Sequence, residues 1–144
     1  MFASATYPRQ SNLRNSVGAY QQVGVETGIS GASPHKLVAM LFDGYMDAIT
    51  DAKGGIRTRD VERKTRAITR AVRIIDEGLR SALNVEAGGQ LAADLRDLYA
   101  YVSLRLTQAN LRSDEAMLDE CQTLIEPLRS AWTAIAPQVT TAAR

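Results

Sequence analysis

The sequence predicts an all-α fold: an antiparallel up-down four-helix bundle with a short N-terminal helical segment. Apolar residues recur at steps of three and four, which line one side of a helix with 3.6 residues per turn. The breaks between the periodic stretches are short, and short breaks between helices of about 20 residues make them antiparallel neighbours. Alternating β-branched residues are absent, and Leu, Ala, Arg and Glu supply the periodic stretches, which favours helices over strands.

Helix one begins in "ASPHKL" (32–37), where Ser33 is the expected N-cap and Pro34 the first helical residue. It is expected to fray at Gly54–Gly55. Helix two carries Val61, Thr65, Ile68, Val72, Ile75, Leu79 and Ala82 on one stripe. Asn84 to Gly89 separates it from helix three, whose stripe is Leu91, Leu95, Leu98, Val102, Leu106 and Ala109. Arg112–Ser113 ends helix three, with Ser113 the expected cap of helix four ahead of Asp114–Glu115. Helix four carries Met117, Cys121, Leu124, Leu128, Ala131 and Ile135, and its pattern continues across Pro127, where a kink is expected. Val72 and Leu128 sit mid-stripe and are expected in the core.

The 144 residues are read as a flexible segment (1–16), a bundle domain (17–137) and a flexible tail (138–144). Residues 17–29, "VGAYQQVGVETGI", can form a short helix with Val17, Tyr20 and Val23 on its apolar side. The N-terminus has no continuous apolar core of a signal peptide, and no apolar run is long enough to span a bilayer. With a single cysteine, Cys121, nothing argues for an oxidising compartment, and the protein reads as cytoplasmic.

The groups an enzyme needs are scarce. His35 is the one histidine and lies in the first turn of helix one, where a surface position is expected. No Glu-x-x-His pairing exists to build a metal site in a bundle. Cys121 falls between Met117 and Leu124 and reads as a buried thiol rather than a nucleophile. Asp43 and Asp47 lie one turn apart on the polar side of helix one, either solvated or paired with a basic residue of a neighbouring helix. Gly88–Gly89 has no phosphate-loop context. No cofactor is implied, and an enzyme is the class the sequence supports least.

Net charge is +1, but unevenly placed: residues 53–80 hold nine basic and four acidic residues, and 114–126 hold five acidic and none basic. Arg63, Arg66, Arg70 and Arg73 cluster on one flank of helix two. Glu62 and Glu77 share that flank and no aromatic residue is interleaved for stacking, which argues against nucleic acid. A solvated helix face is the default reading; a regulatory adaptor, of the anti-sigma type or binding an acidic partner through this flank, is the alternative functional class.

The apolar surface of helix one is wider than a bundle requires. At 100° per residue its apolar positions, from Met40 through Leu37 and Tyr45 to Phe42 and Met46, span roughly 240°, against a stripe of a little over about 100°. The excess is assigned to Phe42, Met46 and Ile49. Segment 17–29 could cover it, a partner protein could, or helix one is simply the most central helix. On helices two and three, Ile74, Leu104 and Leu111 project away from their stripes, which suits a groove for an amphipathic helix.

These stretches resemble the flagellin export chaperone family. The resemblance is carried in order by "AYQQVGVET" (19–27), "ASPHKLVAMLFDG" (32–44) and "RAVRIIDEGLRSALNVEAGGQLAADLRDLYAYV" (70–102), then by "LTQANLRSDEAMLDE" (106–120) and "LRSAWTAIAP" (128–137). It implies a cytoplasmic four-helix bundle that binds the C-terminal helical region of flagellin, prevents premature polymerisation and aids delivery to the flagellar type III export gate. It also implies that the N-terminal segment can lie over part of the bundle. The partner-binding residues expected on both grounds are Tyr20, Val23, Phe42, Met46, Ile49, Ile74, Leu104 and Leu111. Neither nucleic acid nor membrane insertion is expected, and the sequence is compatible with a homodimer.

Overall fold

The structure is a computed structural model and describes residues 33–135. The expected short helix 17–29, and the segments 1–16 and 138–144 expected to be flexible, lie outside the described residues. Four helices follow in order: α1 (Pro34–Arg57), α2 (Val61–Arg73, continued by wider π-helical turns over Ile74–Arg80), α3 (Val85–Arg112) and α4 (Glu115–Ala134). No strand occurs among the described residues.

Side-chain caps start all four helices. Ser33 accepts from Lys36 N at 3.0 Å with Pro34 beginning α1, as expected. Asp60 and Asn84 do the same for α2 and α3, each at 3.0 Å. The cap of α4 is Asp114, accepting from Met117 N at 3.2 Å, rather than the expected Ser113. Ser113 is used by the preceding helix: it closes α3 in the left-handed conformation (φ 49°), so it cannot also open α4. Between α2 and α3 the chain leaves the helix at Ser81 and re-enters at Asn84, and Gly89 (φ 61°, ψ −139°) adds a kink after the first turn of α3. The π-helical end of α2 was not visible in the spacing, because a wide turn inserted late in a helix leaves most of the three–four pattern intact.

Each helix packs on its neighbours in sequence, and α1 on α4 closes the ring. The cross-links show the antiparallel order. Along α1 and α4 the pairs are His35–Trp132, Asp43–Arg129, Lys53–Asp119 and Arg57–Glu115, one number rising as the other falls. Asp43 thus has its partner on a neighbouring helix, with 2.8 Å to Arg129 Nε. His35 is not a surface residue: it is half-buried, stacked at 4.6 Å on Trp132, and Trp132 Nε1 donates to its carbonyl at 3.0 Å. Trp132 lies too far along the chain for its stacking on His35 to be read from the sequence.

The core is a single cluster centred on Tyr45, Ile49, Ile68, Ile75, Val102, Leu106, Leu118, Cys121 and Ile125. Val72 and Leu128 pack against it but are half-buried, while Ile75 and Ile125 are fully enclosed. The stripe of α4 therefore runs through Met117, Leu118, Cys121 and Ile125, and Ala131 and Ile135 at its end are exposed. Val61 and Leu91, near the starts of α2 and α3, are also exposed. Gly54–Gly55 does not fray α1, which continues to Arg57. Gly55 is buried instead where α1 meets the start of α2, and a methyl group there would sit 2.7 Å from Lys64 N.

Lys64 is the buried charged residue of this core, and it has a structural task. Its Nζ donates to Asn110 O at 2.9 Å and to Ser113 Oγ at 2.8 Å, placing a cation at the carbonyl end of α3. Cys121 is fully enclosed, and burial pushes its thiol up to about 12. The native protein is therefore expected to resist thiol reagents at pH 8 and to yield its one thiol on unfolding in denaturant. Rapid labelling of the folded protein would contradict this packing. Because the folded thiol is harder to ionise than a free one, stability contributed by Cys121 is constant below the ordinary thiol pKa and declines as pH rises above it.

A candidate cargo groove between α1 and α2

The two ends of the apolar arc of α1 have different fates. Phe42 (4 % exposed) and Ile49 (0 %) point into the core, with Tyr45, Ala48 and Ala52. They are interior side chains in this structure, which corrects the expectation that they form the uncovered excess. Met46 is half-buried against the same cluster. The uncovered end is the opposite one, where Met40 is 41 % exposed. A helical wheel gives the width of an arc but not which end faces the neighbours.

Met40 opens onto a groove of about 1170 Å³ between α1 and α2. Leu37, Met40, Leu41 and Gly44 of α1 form one side, and Ile74 and Gly78 of α2 continue its apolar surface. The two helices approach closely along this line. A methyl group on Gly78 would lie 3.0 Å from Leu41 Cδ1, and one on Gly44 would lie 3.4 Å from Ile74 Cδ1. Small residues at both points leave an uninterrupted trough rather than a ridge.

The opposite rim is polar: Glu62, Thr65, Arg66, Thr69, Arg70, Arg73 and Glu77 follow one exposed face of α2. Arg73 is tied to Glu77 at 3.3 Å. Arg63, next to this row, is occupied by Asp51 at 2.7 Å. The basic flank and the apolar excess, which the sequence presents as unrelated features on separate helices, are thus two walls of one groove.

Of the expected partner-binding residues that fall among the described residues, the groove takes in only Ile74, which is half-buried. Leu104 (55 % exposed) and Leu111 (81 %) form a separate row on the outer face of α3. Tyr20 and Val23 lie outside the described residues. Leu37, Met40, Leu41, Arg66 and Arg70 line this candidate groove and are not among the expected partner-binding residues. Their signal was present in the apolar arc and the arginine cluster, but only the pairing of α1 with α2 joins the two.

Among the described residues no cluster of three or more His, Cys, Asp or Glu could hold a metal ion, and no helix is long and apolar enough to cross a membrane. What the site offers is a long apolar trough with a charged edge, the form of a helix-binding groove.

The sequence profile of the family described as "Flagellar protein FliS" matches residues 15–139. The chain belongs to the FliS family. It is 42% identical over 122 residues to the flagellar secretion chaperone FliS of Salmonella typhimurium, covering 85% of this chain and 90% of that protein. It is 39% identical over 116 residues to the flagellar secretion chaperone FliSB of Pseudomonas aeruginosa, covering 81% and 91%. Similarity extends to the flagellar secretion chaperone FliS of Bacillus subtilis, at 36% over 120 residues, covering 83% and 85%. The FliS match includes all four helices, so both walls of the groove lie within it.

Proposed function

We propose that this FliS-family chain is a cytoplasmic flagellar secretion chaperone that captures the C-terminal helical region of flagellin in the groove between α1 and α2. The observation that carries the reading is the trough itself: an apolar surface that the bundle leaves uncovered at Met40, on a chain similar to secretion chaperones over most of its length. An amphipathic helix laid in such a groove buries its apolar face without any chemical step. Holding that region keeps flagellin from polymerising until it reaches the flagellar export gate. Leu104 and Leu111 offer a second apolar strip to cargo that extends around the bundle.

Segment 17–29 precedes the groove residue Leu37 by only a few residues in the sequence, and we infer that it competes for the same surface through Tyr20 and Val23. Cargo must then displace it, which lowers apparent affinity by the fraction of protein in the covered state. Deleting residues 1–30 is expected to tighten binding or to promote self-association. A weakened complex would instead make Tyr20 and Val23 direct cargo contacts.

Calorimetry with flagellin tests the main reading. Met40→Asp places a charge on the trough at an exposed position that the fold tolerates, and is expected to weaken binding more than about tenfold. Flagellin lacking its C-terminal region should not bind. Equal affinity of full-length and truncated flagellin would overturn the reading.

A further inference from the structure

Most arginines on the four helices are neutralised within the bundle: Arg57, Arg63, Arg73, Arg80, Arg96, Arg105 and Arg129 each have a carboxylate partner. Arg66 and Arg70 have none among the described residues, although Glu62 and Glu77 stand on the same rim. Both line the groove, one helical turn apart on its exposed edge. Arg70 also leans across the trough: its Nη2 lies 3.1 Å from the position a methyl group on Gly44 would occupy. The glycine leaves room for a guanidinium to reach over the apolar floor toward whatever lies in it.

An apolar trough alone fixes a bound helix poorly. Burial of apolar area is non-directional, and a flexible Met at the open position accepts many side chains, so a helix could slide by a turn at little cost. Fixed charges supply the missing register, because a guanidinium held at the edge of a low-dielectric groove pairs strongly and directionally with a carboxylate. We propose that Arg66 and Arg70 set the register of the bound helix by pairing with two acidic side chains one turn apart on it. The groove would thus select amphipathic helices that carry acids at i and i+4 beside their apolar stripe. This rests on the α1–α2 groove being the cargo site.

The test measures affinity of the full chain for the C-terminal flagellin segment in Arg66→Glu, Arg70→Glu and Arg70→Gln variants, with Met40→Asp and Arg112→Glu as references. Arg112 ends α3 outside the groove and has no ion pair among the described residues. Each groove reversal is expected to weaken binding on the order of tenfold, Arg70→Gln less, and Arg112→Glu hardly at all. Replacing the acidic residues of the flagellin segment by Lys one at a time should identify one change that restores binding to Arg70→Glu. A second change, one turn away, should restore binding to Arg66→Glu. Equal losses in Arg112→Glu, or rescue by any added lysine alike, would reduce the effect to general attraction and overturn the proposal. If Met40→Asp abolishes binding while the arginine variants bind normally, the register role fails and the groove stands. If Met40→Asp binds normally, both fail.

Discussion

Replacing Tyr45 by Ala is expected to destabilise the bundle by about 3–5 kcal/mol, the largest effect of any single truncation of this core. Tyr45 is fully enclosed at the centre of α1, and its hydroxyl donates to the Cys121 carbonyl of α4 at 3.0 Å. Two contributions are lost together: the packing of a ring among α1, α2, α3 and α4, and a directed bond joining helices distant in sequence. Burial and the nearby Cys121 raise the phenol well above its ordinary value, so it stays a donor throughout the usable pH range. Tyr45→Phe separates the terms. It keeps the ring and removes only the hydroxyl, and should cost about 1 kcal/mol. Urea melts of both variants read the difference; a loss below about 1 kcal/mol for Tyr45→Ala would mean that this ring is not in the core.

Adjacent glycines in α1 are expected to respond to alanine with opposite signs. In an exposed helix interior, Gly→Ala stabilises by up to about 1 kcal/mol. At Gly54 the atoms nearest the added methyl belong to the Arg63 guanidinium, at 2.5 Å from Nη2, and that flexible end can move away. Gly54→Ala should therefore be neutral to stabilising, less the small contribution of the exposed Arg63–Asp51 pair. At Gly55 the methyl meets backbone, 2.7 Å from Lys64 N and 2.9 Å from its Cα. The start of α2 must shift, with the Lys64 bonds to Asn110 and Ser113 that depend on it. Gly55→Ala should cost about 1–3 kcal/mol, the usual range for overpacking. Thermal melts of the two variants side by side check this; equal shifts in the same direction would contradict the close contact of α1 with α2.

This glycine pair also shows where sequence reasoning stops. Two glycines near the end of a periodic stretch look like a frayed end, and here they are a contact. The helix count, the antiparallel order, the Ser33–Pro34 start and the buried Cys121 were legible because each depends on local spacing. What was not legible depends on which helices meet. Ile125 rather than Leu128 is central to α4, because which residue of a stripe is enclosed depends on the neighbouring helices and not on the spacing alone. Phe42 and Ile49 lie inward although the width of the arc points them outward, because the arc of α1 could face the core from either end. Lys64, one of the nine basic residues between 53 and 80, is buried and caps a helix far along the chain, which local spacing does not reveal. The candidate groove was half legible: its apolar and basic walls were each visible, and their union was not.

Cargo lying between α1 and α2 would be sensed by natural reporters. Three methionines fall in the described helices: Met40 in the groove, Met46 half-buried near the core, and Met117 enclosed in α4 away from it. Methyl resonances of methionine-labelled protein, recorded during titration with the C-terminal segment of flagellin, read all three positions at once. Cargo in the groove should shift the Met40 methyl strongly at saturation and leave Met117 little changed. Saturable binding that leaves Met40 unmoved would place the cargo elsewhere on the bundle and contradict the groove as its site.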